Sequence, residues 1–201
     1  ESWKRRRLGE PWYKGESINY SIGQGYLSVT PLQQAVYTAA LANKGVILEP
    51  VVEKEIIGND GTSLHKGKLR IRKKLELNKN NLDLVRMGMF SVVNSKRGTG
   101  RRARLKKMDI KVAGKTGTAQ ASAKGEKINH SWFISFAPFD EPVVACVVLV
   151  ENTDSGAKFA APIAHIALKS YFEKYHQPVK EKGTEKGEKE GEKREKGGRT
   201  G

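Results

Sequence analysis

With 201 residues, the chain has room for one domain with a real core and a tail. Its 37% hydrophobic and 7% aromatic content are low for one compact domain, as expected if a polar tail dilutes both. No run reaches the ~18–20 apolar residues of a membrane span, Glu1-Ser2-Trp3-Lys4 does not open like a signal peptide, and a single cysteine excludes an internal disulfide or a thiolate zinc cage. The formal charge of +15 sits mainly in residues 4–7, 66–74 and 96–107, because the stretch 178–201 is nearly balanced, with eight basic and six acidic residues. Such a surface attracts polyanions or is simply a solvated face.

Residues 1–29 read as loop, punctuated by Gly9, Pro11, Gly15, Gly23 and Gly25. A helix follows, with Thr30 as N-cap, Pro31 at the first helical position, Gln33 closing a capping box and Gly45 as the stop. Residues 49–57 read as a strand, Gly58-Asn59-Asp60-Gly61 as a turn, and the basic stretch after it is assigned no element. A second helix is predicted over about 81–94, with Leu82, Val85, Met89, Val92 and Val93 on its apolar stripe. A basic loop over 96–107 leads to three strands, 110–121, 130–137 and 142–151. Residues 157–175 form an amphipathic helix through Phe159, Ile163, Ile166, Ala167 and Tyr171. Cys146 falls within the apolar run 143–150 and reads as core. Residues 177–201, rich in Glu, Lys and Gly, have nothing apolar enough to bury and are expected to be disordered. The order of elements predicts an α+β layer for residues 1–176, with helices covering one face of an antiparallel sheet.

Within the first sheet strand, "KVAGKTGTAQ" places Lys115-Thr116-Gly117 among small residues. Chance supplies this triplet about 0.1 times in such a composition. Lys115 offers a fixed cation, Thr116 a hydroxyl for a carboxylate, and Gly117 an unobstructed edge for an extended peptide. The N–H of Thr118 can then face a carbonyl oxygen under attack. Serine acyltransferases built this way pair the triplet with Ser-x-x-Lys and Ser-x-Asn. Ser63/Lys66 and Ser155/Lys158 match the first pattern and Ser17/Asn19 the second, against about 1.5 and about 0.5 expected by chance. None fits: Ser63 follows a turn with no apolar helix behind it, Ser155 comes after Lys115 at a helix start where an N-cap role suits it, and the Ser17/Asn19 match is no more than chance supplies. Gly23-x-Gly25 lacks the third glycine of a dinucleotide site, and the four histidines have no ligand spacing. His130 alone lies near the proposed cleft.

Three ordered blocks carry a resemblance: "WKRRRLGEPWYKGESINYSIGQGYLSVTPLQQA", "AGKTGTAQ" and "NHSWFISFAPFDEPVVACVVLVEN". Over residues 3–175, more loosely in 53–79 and the basic loop, the chain resembles the penicillin-binding protein 2 family of class B peptidoglycan D,D-transpeptidases. The resemblance implies an α+β fold, the C-terminal part of the penicillin-recognising transpeptidase fold, with an antiparallel sheet flanked by helices. It implies acyl transfer from a D-Ala-D-Ala stem peptide through a serine that β-lactams also acylate, without a cofactor. Lys115, Thr116 and Gly117 match the family's third motif. Thr116 and Thr118 would hold the carboxylate, with the Thr118 N–H as half of the oxyanion hole. Implied partners are stem peptide, β-lactams and cell-elongation proteins, on the extracytoplasmic side of the inner membrane; no nucleic-acid partner is expected.

In that family, the nucleophile and the Ser-x-Asn motif precede the "SIGQGY" block. This chain opens just before that block at Glu1, and therefore reads as a piece of something longer that lacks nucleophile, lysine base and membrane anchor. Alone it is expected to be inert and marginally stable. The alternative expectation is a non-catalytic module that binds wall peptide or an elongation partner.

Overall fold

The computed structural model describes residues 1–123 and 126–175; the predicted tail 177–201 lies outside them. The chain opens with two short helices, α1 (Ser2–Leu8) and α2 (Lys14–Ser21), where the sequence predicts loop. A buried lysine explains the difference. Lys4 is 1% exposed, and its ammonium donates to the Pro11 carbonyl at 2.9 Å and pairs with Glu10 and Glu16. Glu16 also accepts from the Tyr13 N–H at 2.7 Å, closing a capping box on α2. Long-range charge pairing thus orders segments whose glycines read locally as breakers.

The next helix, α3 (Pro31–Ala42), forms as predicted. Thr30 Oγ1 accepts from the Gln33 N–H at 3.2 Å, and Gln33 Oε1 accepts from the Thr30 N–H at 2.8 Å. After it, β1 (Val46–Leu48) pairs with β4 (Ile71–Lys74), while β2 (Glu55–Ile57) and β3 (Ser63–Lys66) make an exposed hairpin around the predicted Gly58–Gly61 turn. Of the predicted 49–57 strand only Glu55–Ile57 forms a strand, and the unassigned basic stretch supplies two strands.

Helix α4 (Lys79–Asn94) buries Leu82, Met89 and Val93, as its stripe predicts, but Arg86 takes an inner position and Val85 is left exposed. Two single 3₁₀ turns, Arg101–Ala103 and Lys106–Met108, fold the basic loop back on the core. The main sheet is antiparallel in the order β5 (Ala113–Ala123), β6 (Glu126–Ala137), β7 (Val144–Val150), in continuous register from Ala113 opposite Phe136 to Thr118 opposite Ser131. Helix α5 (Ala160–Tyr175) closes the fold.

Because side chains alternate along a strand, β6 feeds two cores. Phe133 and Ala137 pack with Ala160, Ala161, Ala164, Leu168 and Phe172 of α5. Phe136 and Ile134, on the other face, join Leu41 and Ala42 of α3 and Leu82 and Met89 of α4. The helices therefore cover both faces, not one. The buried stripe of α5 is also displaced by one residue from the predicted one, leaving Ile163 45% and Ile166 63% exposed. Alanines at 160, 161 and 164 let the helix axis approach the sheet more closely than the larger residues would. Cys146 is half-buried at the edge of this core, and burial raises its thiol pKa. Among the described residues, no helix is long and apolar enough to cross a membrane.

Candidate functional site

The Lys115–Thr118 segment lies in β5, the outer strand of the sheet; no strand among the described residues pairs with its free edge. Two side chains reach that edge. The Lys115 ammonium donates to the Thr116 carbonyl at 2.6 Å, and the Gln24 amide donates to the Thr118 carbonyl at 3.1 Å. Within an extended residue, N–H and C=O point to the same side, so the N–H groups of Thr116 and Thr118 also face outward. A strand edge with alternate free N–H groups can pair with an extended peptide or hold a developing oxyanion.

The threonine side chains are fixed from their own face of the sheet. Thr116 Oγ1 lies 2.9 Å from Thr99 Oγ1, and Thr118 Oγ1 donates to the Asp154 carbonyl at 3.5 Å. The loop carrying Asp154 runs onto Gly117: a Cβ at Gly156 would collide with backbone atoms of both Trp132 and Gly117. Glycine at 156 is thus required by close approach, whereas a Cβ at Gly117 would only touch Trp132 Cβ at 3.4 Å. Further along β5, a Cβ at Gly114 would press into the Phe133 ring and the Ile134 carbonyl, so the strand passes over the core only as glycine there.

Gln24 and Thr99 carry no motif of their own. Gln24 sits between Gly23 and Gly25, whose φ angles of 77° and 76° are left-handed. The glycines that fail as a dinucleotide fingerprint instead bend the chain so that Gln24 meets β5. Lys4 completes the arrangement by lying over the Tyr13 ring at 4.5 Å and the Tyr26 ring at 5.5 Å, which ties α1 and α2 to the same loop.

None of the three serine matches takes the helical Ser-x-x-Lys or Ser-x-Asn arrangement of the motif. Ser63 and Lys66 lie on β3, where residues three apart point to opposite faces. Ser17 and Asn19 are two apart on α2, and Ser17 Oγ accepts from Trp12 Nε1 at 2.8 Å. Ser155 lies five residues before α5 begins; its carbonyl accepts from the N–H groups of Lys158 and Phe159 in a turn, so it is not the helix N-cap that the sequence suggests. His130 sits on β6 opposite Ala119, its Nδ1 accepting from the Asn152 N–H at 3.2 Å. Among the described residues, no group of His, Cys, Asp and Glu could hold a metal ion.

The family model of the penicillin-binding protein transpeptidase domain matches residues 5–169. The chain belongs to this family. It is 34% identical to the peptidoglycan D,D-transpeptidase MrdA of Haemophilus influenzae over 90% of its own length and 30% of that protein's. Penicillin-binding protein 2 of Pseudomonas aeruginosa, solved in complex with WCK 5153, superposes with a TM-score of 0.71 at 36% identity, covering 87% of this chain and 38% of that one. The Helicobacter pylori penicillin-binding protein 2, solved as a complex with MreC, superposes with a TM-score of 0.65 at 30% identity, covering 87% and 30%. The chain spans about a third of the length of these relatives, and its α+β fold is a partial transpeptidase fold, helices flanking an antiparallel sheet.

Proposed function

We propose that residues 1–176 are the C-terminal portion of a peptidoglycan D,D-transpeptidase domain and that β5 is its substrate-binding strand. The free edge of β5, with the Thr116 and Thr118 N–H groups facing outward, is the observation that carries the reading. In this role a stem peptide ending in D-Ala-D-Ala, or a β-lactam mimicking it, lies along β5. Lys115 and the Thr116 and Thr118 hydroxyls hold its carboxylate, Gly117 leaves the strand unobstructed, and the Thr118 N–H donates to the carbonyl oxygen as negative charge develops there. In this reading the donor set stabilises acyl transfer, and the attack itself is assigned to an activated serine outside it. The serine and its lysine base belong to sequence outside these 201 residues, and this chain alone is inert.

The setting of that activity is the bacterial cell envelope, outside the inner membrane. A second reading, a non-catalytic module that docks an elongation-complex protein, draws on the Helicobacter pylori relative solved with MreC. Fluorescent penicillin separates chemistry from binding. The purified chain is expected to carry no label after denaturing electrophoresis; a denaturation-resistant adduct would place a nucleophile within it and contradict the proposal.

A further inference from the structure

Beside the Thr99–Thr116 contact, on the side of α5, lies an open cleft of about 550 Å³, lined by Thr99, Arg101, Arg102, Arg104, Lys106 and Lys158 among others. No carboxylate lines it. Among the described residues, none of its five cations takes part in an ion pair. The groove beside β3 is a useful contrast. It too is basic, but Glu49 and Glu53 line it, Arg70 pairs with Glu49 and Lys66 with Glu55, and only Lys68 among its lysines and arginines has no ion pair among the described residues.

The cleft is also rigid. Arg101 donates to the Lys96 carbonyl at 2.8 Å, Arg102 to the Lys158 carbonyl at 3.3 Å, and Arg104 to the Val93 and Ser95 carbonyls at 2.6 and 2.8 Å. Ala103 and Leu105, between these residues, are buried in the core. A Cβ at Gly98 would collide with the Val92 carbonyl, so the loop is seated tightly on the end of α4. Five like charges held together without a counter-charge repel one another, and a bound anion relieves that repulsion. Holding the arginines in place beforehand lowers the ordering cost of binding.

We propose that this cleft is a binding site for a phosphate-bearing anion, separate from the β5 edge and independent of the transpeptidase reading. Guanidinium groups and lysines converge on it from two segments, the 96–108 loop and the turn before α5, which suits the multiple oxygens of a phosphate or diphosphate better than a single carboxylate. The chemistry fits a lipid headgroup or a soluble phosphate.

The test titrates the full chain at low salt with inorganic pyrophosphate and, in parallel, measures flotation with phosphatidylglycerol/phosphatidylcholine vesicles against phosphatidylcholine alone. Lys106→Gln/Lys158→Gln removes two exposed cleft charges; Lys73→Gln/Lys74→Gln removes two on β4 as a matched control. Circular dichroism confirms that both variants fold. Saturable binding to pyrophosphate, to anionic vesicles or to both is expected, weakened about tenfold or more by the cleft pair and less than about twofold by the control. Binding to pyrophosphate alone assigns a soluble phosphate, and binding to vesicles alone a lipid headgroup. No saturable binding to either probe, equal weakening by both pairs, or tighter binding of a short DNA duplex would overturn the proposal.

Discussion

Arg86 shows how a charged side chain can act as core. It is 6% exposed, and its guanidinium donates to the Leu41, Ala42 and Phe139 carbonyls while lying over the Phe136 and Phe139 rings at 4.8 and 5.5 Å. Burial disfavours its charge, and Asp83 and Asp140 act in the opposite sense. By capping the last carbonyls of α3 from α4, it ties the two helices to the turn after β6. Arg86→Met keeps the volume but strands these carbonyls, and it is expected to lower urea-unfolding stability by about 3 kcal/mol; a loss under about 1 kcal/mol would mean the carbonyls find other partners. Ser131, opposite Thr118, is the converse case. Its hydroxyl is buried without a hydrogen-bond partner among the described residues. Ser131→Ala is therefore expected to be neutral or to stabilise by up to about 1 kcal/mol in the same assay.

At the scale of elements, legibility followed the range of the interactions. Helix α3 was readable because its capping box lies within four residues, and β5–β7 were readable because apolar residues cluster in three separate runs. Helices α1 and α2 were not, because their order comes from Lys4 meeting Glu10 and Glu16 across the chain. The inner face of α5 was misread because alanines, weak apolar signals in a sequence, allow the closest packing on the sheet. At the candidate site, Lys115–Thr118 stood out by motif, whereas Gln24 and Thr99 act through contacts 94 and 17 residues distant and had no local signal. The Lys4 clamp also sets a pH window. The Lys4 hydrogen bond and the Tyr13 N–H hold the Glu16 carboxyl below its usual range, so its contribution is present above about pH 4.3 and fades as pH falls through the lower folded value. Burial opposes the Lys4 charge, but hydrogen bonds to Glu16 and Glu10 outweigh it and raise the pKa; that contribution is full below about pH 10.4 and fades as pH rises through the higher folded value. The melting-temperature gap between the native chain and Lys4→Met/Glu16→Gln is expected to be widest from about pH 5 to about pH 10 and to narrow outside it. A gap independent of pH would assign α1 and α2 to packing instead.

For the whole molecule, charge and exposure divide the surface by use. Tyr37, Leu84, Val85 and Ile166 are about half exposed or more, apolar area that isolated domains normally cover. We assign an extended peptide to the β5 edge and an anion to the basic cleft. We propose that β5 binds substrate for a serine that lies outside this strand. The decisive measurement joins this chain to the remainder of the Haemophilus influenzae relative's sequence and follows fluorescent-penicillin acylation. The expected result is a denaturation-resistant label that the chain alone lacks, formed about tenfold more slowly with Thr116→Val and about 100-fold more slowly with Lys115→Ala. A folded fusion labelled at the same rate with either substitution would contradict it.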